Sequence, residues 1–469
     1  MSWTPIPIGT KLFLNVDEEV LTKGLAAVEN AFINEAGGHS RFPGLTQWLD
    51  LGGKAKVYLT EWRGDLMAVT AAGKAFRIDK SATARDVTEV PVTINTGYRP
   101  VFTKTDDEML MAGGGSIIRY AGEKTEVLSK DAPLASHVGF IDNYVIAVEV
   151  DSGRFHHCEA GSYRQWSPLD VFSASGRPDN LNGMIITDYR ELLLTGRDSI
   201  EQFERLLSGS TPFFRRWAVG EGVLAPYTLS IADNATWGLN KDKEFIRFSG
   251  QISQPASDDI GKALDGITDW TDAWTAKIHI LGQKFLLLQA PKAASPYDEV
   301  GQNSGMTYVY DYRQQKWFTL YGWNDAAGVP GGWPGCSHVE IDGQHYVGGE
   351  GVIYRLDPES FTTGGSIQRM YGRTAHLSVS AATKGVTIKN VRIKAKRGVG
   401  DPATSPAFNL RVIRDGGRPS RWVARGLGRA GERSAFLDFG GFGNAQTFQF
   451  EWFVTDTCDV ELVSLEADI

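Results

Sequence analysis

Between residues 73 and 356 of this 469-residue chain, apolar and polar positions alternate in short runs bounded by Gly, Asn, Asp and Pro. A period of two is the signature of a strand, because successive side chains leave opposite faces. Four runs share one form, two apolar residues flanking an arginine: Phe76-Arg77-Ile78, Ile118-Arg119-Tyr120, Ile246-Arg247-Phe248 and Tyr354-Arg355-Leu356. Three of them follow a glycine closely, as GKAFRI, GSIIRY and GVIYRL, the arrangement of a turn feeding one strand of a hairpin. Further strand candidates fill the gaps at Phe155 in VDSGRFHH, Phe203 in DSIEQFERL, and Tyr310-Asp311-Tyr312, which leads through a polar turn to Trp317. The landmarks stand on average about 46 residues apart, inside the spacing of roughly 40 to 50 that four-stranded propeller blades require. An all-β chain with a β-propeller over residues 56–360 is predicted, with six blades expected and seven the alternative. The competing account is a large antiparallel protein whose strands recur at irregular intervals.

The flanks read differently. In residues 1–55, Val20, Leu21, Leu25, Val28 and Phe32 would line one face of a helix, a reading that Gly24 weakens. The segment ends in Arg41-Phe42-Pro43-Gly44-Leu45, where Pro followed by Gly suits the central positions of a type II turn. Residues 361–469 alternate again, as in Val386-Thr387-Ile388-Lys389 and Val391-Arg392-Ile393-Lys394, and close with QFEWFVTD. A small β-sandwich-like domain is predicted there. Its charges are segregated: residues 389–434 hold 12 Lys or Arg against 3 acids, whereas 435–469 hold 7 acids and neither Lys nor Arg. Such halves pair across strands or across a subunit boundary. The other reading of the basic half is a nucleic-acid patch, weighed against the ordinary solvation of Lys and Arg on strand faces.

Composition sharpens this picture. With 53 Gly and 11% aromatics, the chain has turn-formers and packing material for many short strands, and 42% hydrophobic residues exclude disorder, collagen and coiled coil. A net charge of −8 argues against a protein that grips nucleic acid over its whole surface by counterion release, while leaving room for a local basic face. The three cysteines, Cys158, Cys336 and Cys458, are widely spaced and odd in number, which points to a reducing compartment. The N-terminus lacks the basic and apolar regions of a signal peptide, and no run is long enough to span a bilayer as a helix.

Candidate chemistry is sparse. Gly73-Lys74 lacks the flanking residues of a phosphate loop, and the glycines at 113–115 and in GVPGGWPG (328–335) read as turns. His156-His157-Cys158 is the one dense run of metal-ligand types, but on a strand these neighbours face opposite sides and cannot converge on one ion. Asp106-Asp107 and Asp258-Asp259 are adjacent in sequence, which is not the arrangement of two carboxyls held across a sugar. Arg414-Asp415-Gly416-Gly417-Arg418 is similar to the aspartate-box turn of sialidases, with Ile413 in place of the usual Ser or Thr, and reads as a hairpin turn. No G-x-S-x-G or H-E-x-x-H occurs. No catalytic, cofactor-binding or metal residue is therefore assigned.

The stretch from Ser173 to Phe203, SASGRPDNLNGMIITDYRELLLTGRDSIEQF, resembles the packaged DNA stabilisation protein family, the tail hub or nozzle proteins of short-tailed bacteriophages. The matching positions are Pro178-Asp179 after a small-residue turn and the strand Ser199-Ile200-Glu201-Gln202-Phe203. Gly250-Gln251-Ile252-Ser253 followed by a helix-like Asp258 to Leu264, the Phe42-Pro43-Gly44 turn, RVIRDGGR and LGRAGERS are similar to further landmarks of that family, in the same order. Residues 265–345 carry none. The Phe-Pro-Gly likeness favours an extended N-terminal arm over the helix.

What the resemblance implies is a structural virion protein rather than an enzyme. Six copies would assemble in the host bacterial cytoplasm below the portal and its adaptor protein, extend the DNA channel, and retain the packaged genome. They would carry tail fibres, tailspikes or a needle, with double-stranded DNA passing without sequence-specific binding. No cofactor is implied. Alone, such a chain is expected to be monomeric or weakly associated, with residues 1–55 and the basic loop Lys394–Ser405 ordering on assembly. Two readings compete: a propeller carbohydrate-active enzyme of glycosidase type, and a propeller adhesin that forms no ring. Glycoside release abolished by single Asp-to-Asn or Glu-to-Gln changes would mark the first, and failure to form a sixfold assembly on a portal–adaptor complex the second.

Overall fold

The alternating runs of the central region become antiparallel meanders of four strands each. The structure, a computed structural model, describes residues 3–8, 11–14, 24–174, 176–206, 212–378, 385–428 and 435–469. Five meanders are self-contained sheets, over residues 57–86, 101–127, 135–173, 181–219 and 223–255. A sixth spans 274–320. In a seventh unit, Ser337–Ile341, Gln344–Gly348 and Val352–Asp357 are completed by Gly44–Asp50 from the other end of the chain, in register from Val352↔Asp50 to Asp357↔Gly44. From the second unit to the seventh, first strands lie side by side, and Ser337–Ile341 packs on Val57–Trp62 to close the circle. Between the first two units, one apolar layer holds Met67 and Val69 against Met109 and Met111, and Lys104 pairs with Glu61. The arrangement is that of a β-propeller.

The landmarks read from the sequence have a common place. Ala75–Ile78, Ile118–Tyr120, Arg154–Glu159, Ile200–Arg205, Phe245–Ser249, Met306–Asp311 and Val352–Asp357 are each the third strand of their unit. The flanking apolar residues enter the layers between sheets, while the arginine meets an acid of its own sheet. Arg77 Nε donates to Asp65 (2.6 Å), Arg119 pairs with Glu108 (2.9 Å), and Arg247 lies 3.6 Å from Asp233. Burying one large apolar side chain in such a layer stabilises by about 1.5–3 kcal/mol, and every layer buries several.

The chain termini correct the expected boundaries. Residues 1–55 do not form a separate arm. Trp3–Ile6, Leu25–Glu29, Ala31–Ile33, His39–Arg41 and Gly44–Asp50 are strands in three different sheets. Of the helix face proposed at 20–32, Val20 and Leu21 lie outside the described residues, and the rest is strand. Leu25–Glu29 sits between Lys316–Leu320 and Met370–Thr374, so both of its edges are hydrogen-bonded. At Gly24, φ is +88° and an added Cβ would meet the Phe13 ring at 2.4 Å, a position where a helix cannot pass. Gly44 opens a strand without a positive φ, so Phe42-Pro43 is a two-residue link between strands and Phe42-Pro43-Gly44 is not a type II turn. Asp258–Ile260 and Gly261–Asp265 form the short helix expected there.

The C-terminal residues build two sheets with the N-terminal strands. One continues the sixth meander through Leu25–Glu29, Met370–Thr374, Thr447–Val454, Ala407–Arg414 and Val423–Gly426. The other runs Ala31–Ile33, His39–Arg41, Cys458–Asp468, Val386–Gly400 and Ala435–Ala445, with Trp3–Ile6 beside Cys458–Asp468. They share one core, which includes Phe408, Phe439, Phe448, Phe450 and Trp452. The expected loop from Lys394 is strand as far as Gly400, and 401–404 lie outside the described residues.

Candidate functional site

Asp179 and Ser199, which leads into the strand Ile200–Arg205, are picked out 20 residues apart in the sequence and are bound to one another. Asp179 accepts the Asp198 amide (2.8 Å) and the Ser199 hydroxyl (2.9 Å). Gly196 lies so close that a Cβ would stand 2.2 Å from the Asp179 carboxylate. Glu201 is fully buried, accepts the Gly176 amide at 2.7 Å and pairs with Arg215 at 3.2 Å. Gln202 donates to Glu191 at 2.6 Å, and Phe203 packs on Phe155 of the neighbouring sheet with ring centroids 5.0 Å apart. The segment 176–180 is therefore a clasp that ties the entry of the fourth sheet to its own third strand. Its carboxylates are committed to backbone amides, a hydroxyl and one arginine, which makes them structural acceptors.

The other candidate positions resolve along the same line. His157 packs with Phe172 and Phe213 on one face of Arg154–Glu159, whereas Cys158 enters the opposite apolar layer and accepts the Val145 amide. Burial raises the Cys158 thiol above its ordinary value. Asp415 sits at φ 48° and accepts the Gln446 and Thr447 amides, both at 2.8 Å, while Gly417 N–H donates to Arg414 O. The aspartate-box-like run is a turn whose carboxylate is already occupied. Of LGRAGERS, residues 429–434 lie outside the described residues.

The segregated charges of the C-terminal region pair within the chain. Val386–Gly400 lies between the two acidic strands, with Arg392 opposite both Asp438 and Glu466, and Lys396 opposite Glu461. Arg392 reaches Asp438 at 2.9 Å, Lys396 reaches Glu461 at 2.9 Å, and Arg411 and Arg373 share the buried Glu451. Most of the exposed pairs add little stability individually, but they fix register, because a slip of one residue would set Arg392 and Lys396 opposite apolar residues.

At the centre of the ring the first strands of the units, or the residues just before them, line a pocket of about 680 Å³. One end is occupied by Arg99, which is 6% exposed. Its guanidinium donates to the backbone carbonyls of Asp272 (2.9 Å) and Cys336, and its amide donates to the Tyr227 hydroxyl at 2.8 Å. The rings of Tyr58, Trp274 and Tyr227 lie 5.1, 5.4 and 5.8 Å from the guanidinium carbon. One side chain thus contacts residues from four other units. Beside it, His137 stacks on Tyr227 at 5.5 Å, and burial pushes its pKa down to about 4, so the imidazole is neutral. Burial also pushes the Tyr58 phenol up to about 12. Sequence reasoning missed this cluster: Arg99 stands in an ordinary GYRP turn, and its partners are 173 and 237 positions away.

No family model matches the chain, and no curated protein does. Among solved structures, it is similar to the computationally designed Ika8 protein at 12% identity and a TM-score of 0.40, covering 66% of this chain and 99% of that one. A streptogramin B lyase follows at 10% identity and a TM-score of 0.41, covering 65% and 94%. Virginiamycin B lyase from Staphylococcus aureus gives 9% identity and a TM-score of 0.41, covering 67% and 98%. At these scores the likenesses carry no argument about what the chain does.

Proposed function

We propose that the chain is a structural virion protein, the tail hub or nozzle of a short-tailed bacteriophage, built on a seven-bladed propeller with a small β-sandwich. In this reading the propeller has seven blades, the alternative to the six expected, and Gly44–Asp50 completes the seventh. The observation that carries the functional reading is the clasp between Asp179 and Ser199. The two halves of the motif behind the family resemblance are one hydrogen-bonded unit, so their joint occurrence has a physical basis. The acids of that unit serve as acceptors within the fold, as an assembly protein needs.

In this reading six copies form a ring below the portal and adaptor, with fibres, spikes or a needle attached. Duplex DNA passes through the lumen of the ring and not through a propeller. A pocket of about 680 Å³, plugged by Arg99, has the size of a small-molecule site, whereas the major groove of a duplex is alone about 12 Å wide. Each subunit carries a net charge of −8, and an acidic or neutral wall lets a polyanion slide where a basic wall would hold it. The test is mass measurement of the full chain with and without a portal–adaptor complex. Six bound copies support the reading, and a chain that stays apart from the complex overturns it.

A further inference from the structure

We propose that the Arg99 end of the central channel is a binding site for a small organic carboxylate with a flat apolar body. The proposal stands independently of the assembly reading. Arg99 is a buried cation with no ion pair among the described residues, and Asp272, whose backbone it touches, has its carboxylate 3.2 Å from Lys56. Buried charges ordinarily have a counter-charge, because carbonyl dipoles and ring faces offset only part of the cost of leaving water. Two carbonyls take one N–H from each terminal nitrogen, which leaves three of the five guanidinium donors.

One neighbour supplies a further donor. Tyr58 and His137 line the same pocket and are only 5% and 3% exposed, and among the described residues neither the Tyr58 hydroxyl nor His137 Nε2 has a hydrogen-bond partner. The Ser136 hydroxyl donates to the Val148 carbonyl (3.4 Å), so its oxygen accepts from His137 Nδ1 (3.3 Å) and the neutral ring presents Nε2 as an acceptor. A guanidinium and a phenol, both donors and with one net positive charge, match a monoanionic carboxylate. The walls beside them, Phe102, Tyr227 and Trp274, suit a planar apolar body. Lys277, Glu340 and Asp342 are the charged residues farther along the lining, and two acids against one lysine there disfavour a dianion such as phosphate.

The test is titration calorimetry of the full chain with benzoate, and with benzamide and inorganic phosphate as comparators. Benzoate is expected to bind one per chain. Benzamide, which lacks the charge, should bind at least about tenfold more weakly, and phosphate should not compete. Tyr58→Phe should weaken benzoate by about tenfold, with the melting temperature recorded alongside; this variant keeps the test open even where Arg99→Met fails to fold. Absence of saturable benzoate binding, equal binding of benzamide, tighter binding of phosphate, or benzoate affinity unchanged in Tyr58→Phe would each overturn the proposal.

Discussion

Phe155 offers the most searching test of how the ring holds together. Its side chain is fully buried and stands between Phe172 of its own sheet, stacked at 5.2 Å, and Phe203 of the next sheet, edge-on at 5.0 Å. Phe155→Ala removes the transfer energy of a ring and leaves a cavity that rigid strands on both sides cannot close, a loss of about 3–5 kcal/mol. The edge-on contact with Phe203 crosses from one sheet to another, and such pairs contribute about 0.5–1.5 kcal/mol beyond area burial. A double-mutant cycle with Phe203→Leu should therefore show a coupling of about that size, read by urea denaturation with the m-value checked for constancy. If Phe155→Ala costs less than about 1.5 kcal/mol, or if the cycle shows no coupling, the packed layer between the third and fourth sheets is not as described.

Three further outcomes follow from the same geometry. Burial holds the pKa of His39 and of His137 at about 4, below the ordinary 6.5, so the unfolded chain takes up their protons first as pH falls. The stability they contribute is fully present above about 6.5 and is lost between there and about 4, with a deficit of about 2 kcal/mol per histidine at pH 5; denaturation of His137→Gln at pH 7 and pH 5 should show a correspondingly smaller drop than the parent. Gly348→Ala places a Cβ 2.0 Å from the Val57 carbonyl at the junction of the seventh and first units, and should cost about 1–3 kcal/mol in a thermal melt; a neutral result would mean that the ring is not closed there. Asp415→Ala orphans the two amides it accepts and should cost about 1 kcal/mol, whereas Asp415→Asn keeps an acceptor and tolerates the left-handed backbone, so its denaturation midpoint should stay close to that of the parent.

What was legible in the sequence was what local periodicity controls. The arginine triplets announced strands because an X-Arg-X run puts two apolar residues into one layer and turns the arginine to the other face beside an acid, all within about 15 residues of chain. The charge halves at 389–469 announced cross-strand pairing for the same local reason. Closure was not legible. The seventh unit depends on Gly44–Asp50 pairing with Val352–Asp357 over some 300 positions, and the strand Leu25–Glu29 is imposed by neighbours on both edges despite a helix-like spacing of its apolar residues. The Arg99 cluster was hidden for a related reason. Its carbonyl partners leave no mark in side-chain identity, and its aromatic neighbours are single residues from three different units.

In the proposed assembly this chain is one subunit of a sixfold tail hub, which a symmetry-resolved map of a tailed particle containing it would reveal. Six copies are expected around the tail axis directly below the adaptor, with DNA in the lumen they enclose and each propeller channel closed at its Arg99 end. A particle in which the chain is absent from that position, or present as single copies on fibres away from the axis, would contradict it.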